Sequence, residues 1–221
     1  MNIPELEKPR ILVLASGQGS NLQALITACR DRDFPGQIVA VGSNRPNAFA
    51  LERAAQAGIE TFSVDHTRYD TREEFDNVLR LEIERRSPDL VVLAGFMRIL
   101  TPAFVRAFQG RMLNVHPSLL PKYQGLHTHQ RALDAGDTVH GVSIHFVTED
   151  LDGGPVVAQA EVAVNSDDDA ESLAARVQEQ EHILYPIVIR WFCEGRLQLT
   201  GDDRIEFDRT PLTEVLRLST A

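Results

Sequence analysis

The sequence predicts an α/β fold, a mostly parallel central sheet with helices on both faces, and three observations carry that prediction. Short β-branched runs alternate with longer stretches of helical period along the chain. Residues 10–15 (RILVLA) form a near-continuous apolar run closed by a Gly-rich turn, as strands buried on both faces do. The unit then repeats: Leu22, Leu25, Ile26 and Cys29 recur at helical spacing, and a second strand follows at residues 37–41.

The remaining elements follow in order. Residues 48–57 read as a helix closed by Gly58, and 61–64 as a short third strand. Thr71 and Glu74 form a capping box for a helix carrying Phe75, Val78, Leu79 and Leu81, which ends before Pro88. Residues 89–94 (DLVVLA) are the fourth strand, and Thr101 with Pro102 is the N-cap and first residue of a helix reaching about Phe108. Residues 111–116 (RMLNVH) are the fifth strand, stopped by Pro117. A loop then enters a helix ended by Gly136, and residues 139–147 and 156–164 alternate as later strands. Residues 170–194 are amphipathic and helical, and Pro186 inside them predicts a kink or break. With no repeat, low-complexity tract or separating linker, residues 1–221 are expected to form one domain.

Composition narrows the function. The chain has 221 residues, 43% hydrophobic and 24% charged, which excludes collagen-like, disordered and disulfide-stapled classes. A formal net charge of −10 disfavours nucleic-acid partners. Cys29 and Cys193 lie far apart without a CxxC, so neither a secreted disulfide framework nor a cysteine zinc site is expected, and cytoplasm is the default. Glu5, Glu7 and Lys8 interrupt the start, and the first apolar run is far shorter than the ~20 residues a bilayer crossing needs, so no targeting or membrane segment is expected.

Three stretches carry chemistry. Ser16 to Asn21 (SGQGSN) ends strand one and opens helix one, where unpaired N–H groups and the positive helix end can hold a phosphate without a lysine. A dinucleotide fingerprint needs a third glycine where Leu22 stands, which weakens NAD binding. The bland alternative is a plain turn with a Ser or Asn N-cap. Asn114 and His116, in NVHPS, fall on one face at the carboxyl end of a parallel strand, where open sheets bind ligands. The amide can donate to a developing oxyanion and the imidazole can move a proton, although both residues also occur structurally at strand ends. In EDLDGGP, Asp152 is the carboxylate positioned to face the site and fix an imidazole's tautomer, against the simpler reading of a solvated Asp-Gly turn. His116, His127, His129, His140 and His145 cluster in sequence, yet their spacing matches no metal motif, and no metal is expected. Gln178, Glu181, His182 and Tyr185 form a polar stripe on the last helix, which reads first as its solvated face.

Taken together, SGQGSNLQA, LAGFMRIL, LNVHPSLLPKYQGLHTH and HFVTEDLDGGP resemble the folate-dependent phosphoribosylglycinamide formyltransferases, in order and from about Arg10 to Leu199. The resemblance implies a Rossmann-like fold, with a phosphate-binding half at about 10–110, a folate and catalytic half at about 111–200, and a tail, 201–221, that carries none of it. It implies transfer of a formyl group from 10-formyltetrahydrofolate, the co-substrate, to the amine of 5-phosphoribosylglycinamide in purine biosynthesis. Asn114, His116 and Asp152 would be catalytic. Gly19, Ser20 and Asn21 would hold the phosphate, with Gln178 and Glu181 near the phosphoribosyl group. Folate would meet Arg72, Met97, Arg98, Ile99, Leu100 and Asn114, and the loop Glu149, Asp150, Leu151, Asp152, Gly153 and Gly154. Gln18 and Gln124 depart from the family's frequent Asn and Pro without removing a group the mechanism uses. The implied protein is a monomer or homodimer working on two small molecules, without nucleic acid or membrane. Methionyl-tRNA formyltransferase shares the Asn-x-His-Pro stretch but carries a further RNA-contacting domain for which this chain is too short and too acidic. A formyltetrahydrofolate hydrolase is a second rival, distinguished by an extra N-terminal domain and by having no need for a phosphate turn. A non-catalytic dinucleotide sensor would need an acid near the end of strand two, where Ser43, Asn44 and Arg45 stand instead.

Overall fold

A computed structural model of the chain describes residues 7–218. The parallel frame consists of β1 (Arg10–Leu14), β2 (Gln37–Ser43), β3 (Glu60–Ser63), β4 (Leu90–Leu93) and β5 (Met112–His116). Connecting them are α1 (Ser20–Cys29), α2 (Phe49–Gln56), a single 3-10 turn at His66–Arg68, α3 (Arg72–Glu84) and α4 (Pro102–Ala107). After α5 (Thr128–Asp134), β6 (Val139–Phe146) pairs antiparallel with β5, and β7 (Val156–Ala163) antiparallel with β6. The long α6 (Ala170–Cys193) then returns across the sheet.

Strand alternation builds two cores from one sheet. Ile11, Val13 and Ala15 face α1, α2 and α6, with Leu22, Ala54, Leu173, Val177 and Leu184. Leu12 and Leu14 face the other way, against Phe75 and Leu79 of α3 and Phe104 of α4. Each such fully buried side chain contributes roughly 1.5 to 3 kcal/mol, which makes this two-sided burial the main source of stability. The predicted caps are present: Thr71 and Glu74 bond reciprocally at the start of α3, and Thr101 caps α4 ahead of Pro102. The order across the sheet has β4 on one side of β1 and β2 on the other, so the carboxyl ends of β1 and β4 flank a topological switch point.

Three expectations are corrected. Helix α6 runs unbroken through Pro186. The ring removes one N–H, a defect of ~3 kcal/mol in an isolated helix. Leu184, Tyr185, Val188 and Ile189 around it are all buried, and this packing carries the helix through the defect. Leu81, read as part of the apolar stripe of α3, is 52% exposed. The N-cap of α1 is not a Ser or Asn but Gly19, in the left-handed region, without a side-chain cap.

The tail is also structured. Strands β8 (Leu197–Leu199), β9 (Ile205–Phe207) and β10 (Thr210–Pro211) form a small antiparallel sheet, anchored by buried Leu197 and Ile205 and by an edge-on contact between Trp191 and Phe207. β11 (Leu216–Leu218) then adds to the edge of the main sheet, parallel to β7. Runs of two or three residues are too short to show a period, which hid these strands from the sequence reading. Residues 219–221 of the tail lie outside the described residues. Among the described residues no helix is long and apolar enough to cross a membrane.

Candidate active site

Leu113 and Val115 of β5 point into the α1 and α6 core, so Asn114 and His116 project from the opposite face. Opposite Asn114 in the antiparallel ladder stands His145 of β6. The Asn114 Nδ2 lies 3.0 Å from His145 Nε2, and His145 Nδ1 lies 2.9 Å from the Phe146 carbonyl. A carbonyl only accepts, so Nδ1 carries the proton and Nε2 accepts from the Asn114 amide. Burial, with His145 only 2% exposed, pushes its pKa down and keeps the ring neutral. The Asn114 amide is thereby held in one orientation, with its second N–H not used by His145. His145 is the residue that sequence reasoning left unassigned. Its partnership depends on the β5–β6 register, which spacing alone does not reveal.

The loop after β6 brings in the carboxylate. Asp152 Oδ2 lies 3.4 Å from His116 Nδ1 and accepts the Gly125 N–H at 2.9 Å, while Oδ1 lies 3.9 Å from His145 Nε2. His116 Nε2 donates to the Tyr123 carbonyl at 2.9 Å. Both nitrogens of the His116 ring therefore face oxygen acceptors. Asp152 sits at φ 49°, a conformation that costs a non-glycine residue ~1 kcal/mol and is held here by these contacts. Asn114, His116 and Asp152 thus meet, although they come from a strand and a loop separated by more than thirty residues.

Beside them opens a slot lined by Leu93, Phe96, Arg98, Ile99, Leu100, Val105 and Val147, with Asn114, His145 and the loop residues Thr148, Glu149, Asp150, Leu151 and Asp152 completing it. The backbone N–H groups of Arg98, Ile99 and Leu100, residues that line the slot, make no hydrogen bond among the described residues. Arg106 pairs with Glu149 at 2.6 Å and ties the loop to α4. Four expected folate contacts lie outside this lining. Arg72 is the first residue of α3 and is exposed, and Met97 is 62% exposed, with its N–H donated to Ser16 Oγ at 2.8 Å. Gly153 and Gly154 are not among the lining residues, and a Cβ on Gly154 would lie 1.9 Å from the Phe146 carbonyl oxygen.

On the other side of the switch point, Gly19 adopts φ 71°, ψ 37°, and a Cβ there would lie 2.8 Å from Ala50 Cβ. This turn aims the first N–H groups of α1, which have no intrahelical acceptor, out of the sheet, and no acidic side chain occupies that first turn. Asn21 is buried and donates from Nδ2 to Glu181 Oε2 at 2.6 Å. Glu181 and Tyr185 are therefore not part of a solvated stripe. Burial raises the Glu181 pKa against the Asn21 hydrogen bond, and the Tyr185 hydroxyl lies within hydrogen-bond distance of the Leu93 and Leu113 carbonyls. Gln178 is exposed.

Two further histidines pack beneath the loop that follows β5. His140 Nε2 lies 3.2 Å from His129 Nδ1, and burial lowers both pKa values, that of His140 to about 4. From pH 6.5 down to about 4 the unfolded chain therefore binds a proton that the folded chain refuses, so stability falls as pH falls. Between pH 7 and pH 5 the loss from His140 is expected to be on the order of 2 kcal/mol. Urea midpoints at the two pH values measure it, and His140→Gln should flatten the difference; equal wild-type midpoints would contradict the assignment. Among the described residues no group of three or more His, Cys, Asp or Glu is arranged to hold a metal ion.

Residues 9–189, from the start of β1 into α6, match the formyl transferase family. The chain is 57% identical to phosphoribosylglycinamide formyltransferase of Escherichia coli (strain K12), over 86% of this chain and 89% of that protein. It belongs to the phosphoribosylglycinamide formyltransferase family. Another family member, from Haemophilus influenzae, is 48% identical over 86% of this chain and 90% of its own length. The solved phosphoribosylglycinamide formyltransferase structure from Coxiella burnetii superposes with a TM-score of 0.91 at 47% identity, covering 96% of this chain and all of that one. The stretch matched to the family contains every residue of the slot, the trio and the glycine turn.

Proposed function

We propose that the chain transfers the formyl group of 10-formyltetrahydrofolate to the amino group of 5-phosphoribosylglycinamide, giving 5-phosphoribosyl-N-formylglycinamide and tetrahydrofolate. The observation that carries this reading is the meeting of an amide, an imidazole and a carboxylate beside a slot whose lining residues 98–100 have N–H groups unpaired among the described residues. The pterin enters that slot against residues 98–100 and 149–152, with Met97, Gly153 and Gly154 flanking it and Arg72 toward the tail of the folate. The phosphate of the acceptor rests on Gly19, Ser20 and Asn21, with Gln178 and Glu181 flanking the sugar.

The chemistry follows from these placements. The neutral glycyl amine attacks the formyl carbon, a new N–C bond forms, and the carbonyl electrons move onto oxygen. The Asn114 N–H that His145 leaves free donates to that oxyanion. His116 joins it when its Nε2–H exchanges the Tyr123 carbonyl for the oxyanion. As the bond from carbon to the folate nitrogen breaks, the attacking amine loses a proton and the departing nitrogen gains one. His116, with Asp152 as its partner, can carry that proton directly or through water. Donors meet the oxyanion and His116 with Asp152 handles the proton, so the scheme calls on no metal ion. The net charge of −10 fits small-molecule partners better than nucleic acid, and the protein acts in the cytoplasm as a monomer or homodimer.

The test is the absorbance change of folate product formation with and without 5-phosphoribosylglycinamide. Product that requires the acceptor is the expected result. Product formed equally well without it would make the enzyme a formyltetrahydrofolate hydrolase instead.

A further inference from the structure

The slot wall, residues 97–101, has no regular secondary structure, and side chains from elsewhere hold it at both ends. Ser16 Oγ accepts the Met97 N–H at 2.8 Å, and Asp76 Oδ2 accepts the Thr101 N–H at 2.6 Å. Asp76 is an unusual choice for the second anchor. It lies on α3 between core residues, is 3% exposed, and its Oδ1 has no hydrogen-bond partner. A buried carboxylate with an unpaired oxygen destabilises a fold unless charges nearby offset it. The charges of Arg98 and Arg72 counter that cost only in part, and neither arginine forms an ion pair with the carboxylate among the described residues. Arg98 lines the slot, its guanidinium lies 5.2 Å from the centre of the Phe75 ring, and its Nε is buried without an acceptor. Burial raises the Asp76 pKa, against the Thr101 hydrogen bonds and the two arginine charges. A carboxylate serving only to tie α3 to α4 would be replaceable by a neutral amide, which also accepts an N–H. The buried charge and its unpaired oxygen point to a second task.

We infer that Asp76 is the positioning residue of the folate slot, holding the wall segment 97–101 through the Thr101 N–H where the bound folate meets that wall. This role rests on the folate reading above. Asp76 touches no substrate and acts through Thr101.

The experiment compares steady-state kinetics of Asp76→Asn with wild type, with thermal unfolding as the check on folding. The amide still accepts from Thr101 but removes the charge. The expected result is a KM for 10-formyltetrahydrofolate raised about 10-fold, as the charge-assisted bond that fixes the wall becomes a weaker neutral one. Turnover at saturation and the KM for 5-phosphoribosylglycinamide should stay within about twofold of wild type. Should Asp76→Asn fail to fold, Asp76→Glu carries the same test: the charge remains but moves by one methylene, and the folate KM rises with turnover preserved. An unchanged folate KM in either folded variant, or a joint fall of turnover, both substrate affinities and thermal stability, overturns the inference. A wild-type chain that transfers no formyl group overturns the functional reading itself, and that failure shows in a separate arm from failure of the Asp76 role.

Discussion

Replacing Asn114 by Ala is expected to lower turnover about 100- to 1,000-fold, the usual loss when a donor aimed at an oxyanion is removed. The fold should survive. Asn114 is only half-buried, and its one side-chain partner, neutral His145, keeps its bond to the Phe146 carbonyl, so the stability cost is about 1 kcal/mol. His116→Ala and Asp152→Ala should lose turnover on a similar scale because the proton route needs both. Asp152→Ala should also lower stability, by about 1 to 3 kcal/mol, since the Gly125 N–H and the His116 ring lose their acceptor. Single-turnover rates at saturating substrate, read beside thermal unfolding, separate the two effects. Near-wild-type rates from any of the three would remove that residue from the mechanism.

Gly154→Ala is expected to be as damaging through geometry alone. The new methyl would stand 1.9 Å from the Phe146 carbonyl oxygen and 3.0 Å from its carbon, both backbone atoms that no side-chain rotation can move away. Beside this contact, the Phe146 N–H donates to the Pro155 carbonyl and closes the base of the loop carrying Asp152. Relief of the clash must open that base and shift Asp152 from its 3.4 Å contact with His116. A displacement near 1 Å in a catalytic group can cost about 100-fold, so a loss of at least that size is expected, together with a lower unfolding temperature. Gly201→Ala is the control, because a Cβ there meets nothing within 4 Å. Comparable activity in the two variants would show that the loop tolerates movement.

These expectations draw on information of two kinds. Gly19, Asn114, His116 and Asp152 could be singled out in the chain because each sits at a turn or strand end on the ligand-binding side of a parallel sheet, although Gly, Asn and Asp are also ordinary turn residues there. The polar stripe of α6 was legible as a stripe, but its burial was not. Whether Glu181 faces water or Asn21 depends on how α6 lies against α1. Pro186 misled for a related reason: a local rule about prolines was outweighed by burial on both sides of it. Asp76 carried no signal of its own in the sequence, because its partner lies in the irregular segment 97–101 that only packing brings onto α3.

Periodicity and turn chemistry, which act over a few residues, were sufficient to specify the order of strands and helices as far as α6, the caps of α3 and α4, and the stretches that hold the reactive groups. The pairing of His145 with Asn114, the union of His116 with Asp152, the hidden anchor at Asp76 and the edge strand β11 were settled only when distant segments packed. The reason is that each of these contacts joins residues whose separation along the chain carries no spacing rule. Sheet register and the burial of two apolar faces bring them together, and a few tenths of an ångström then decide whether a hydrogen bond exists.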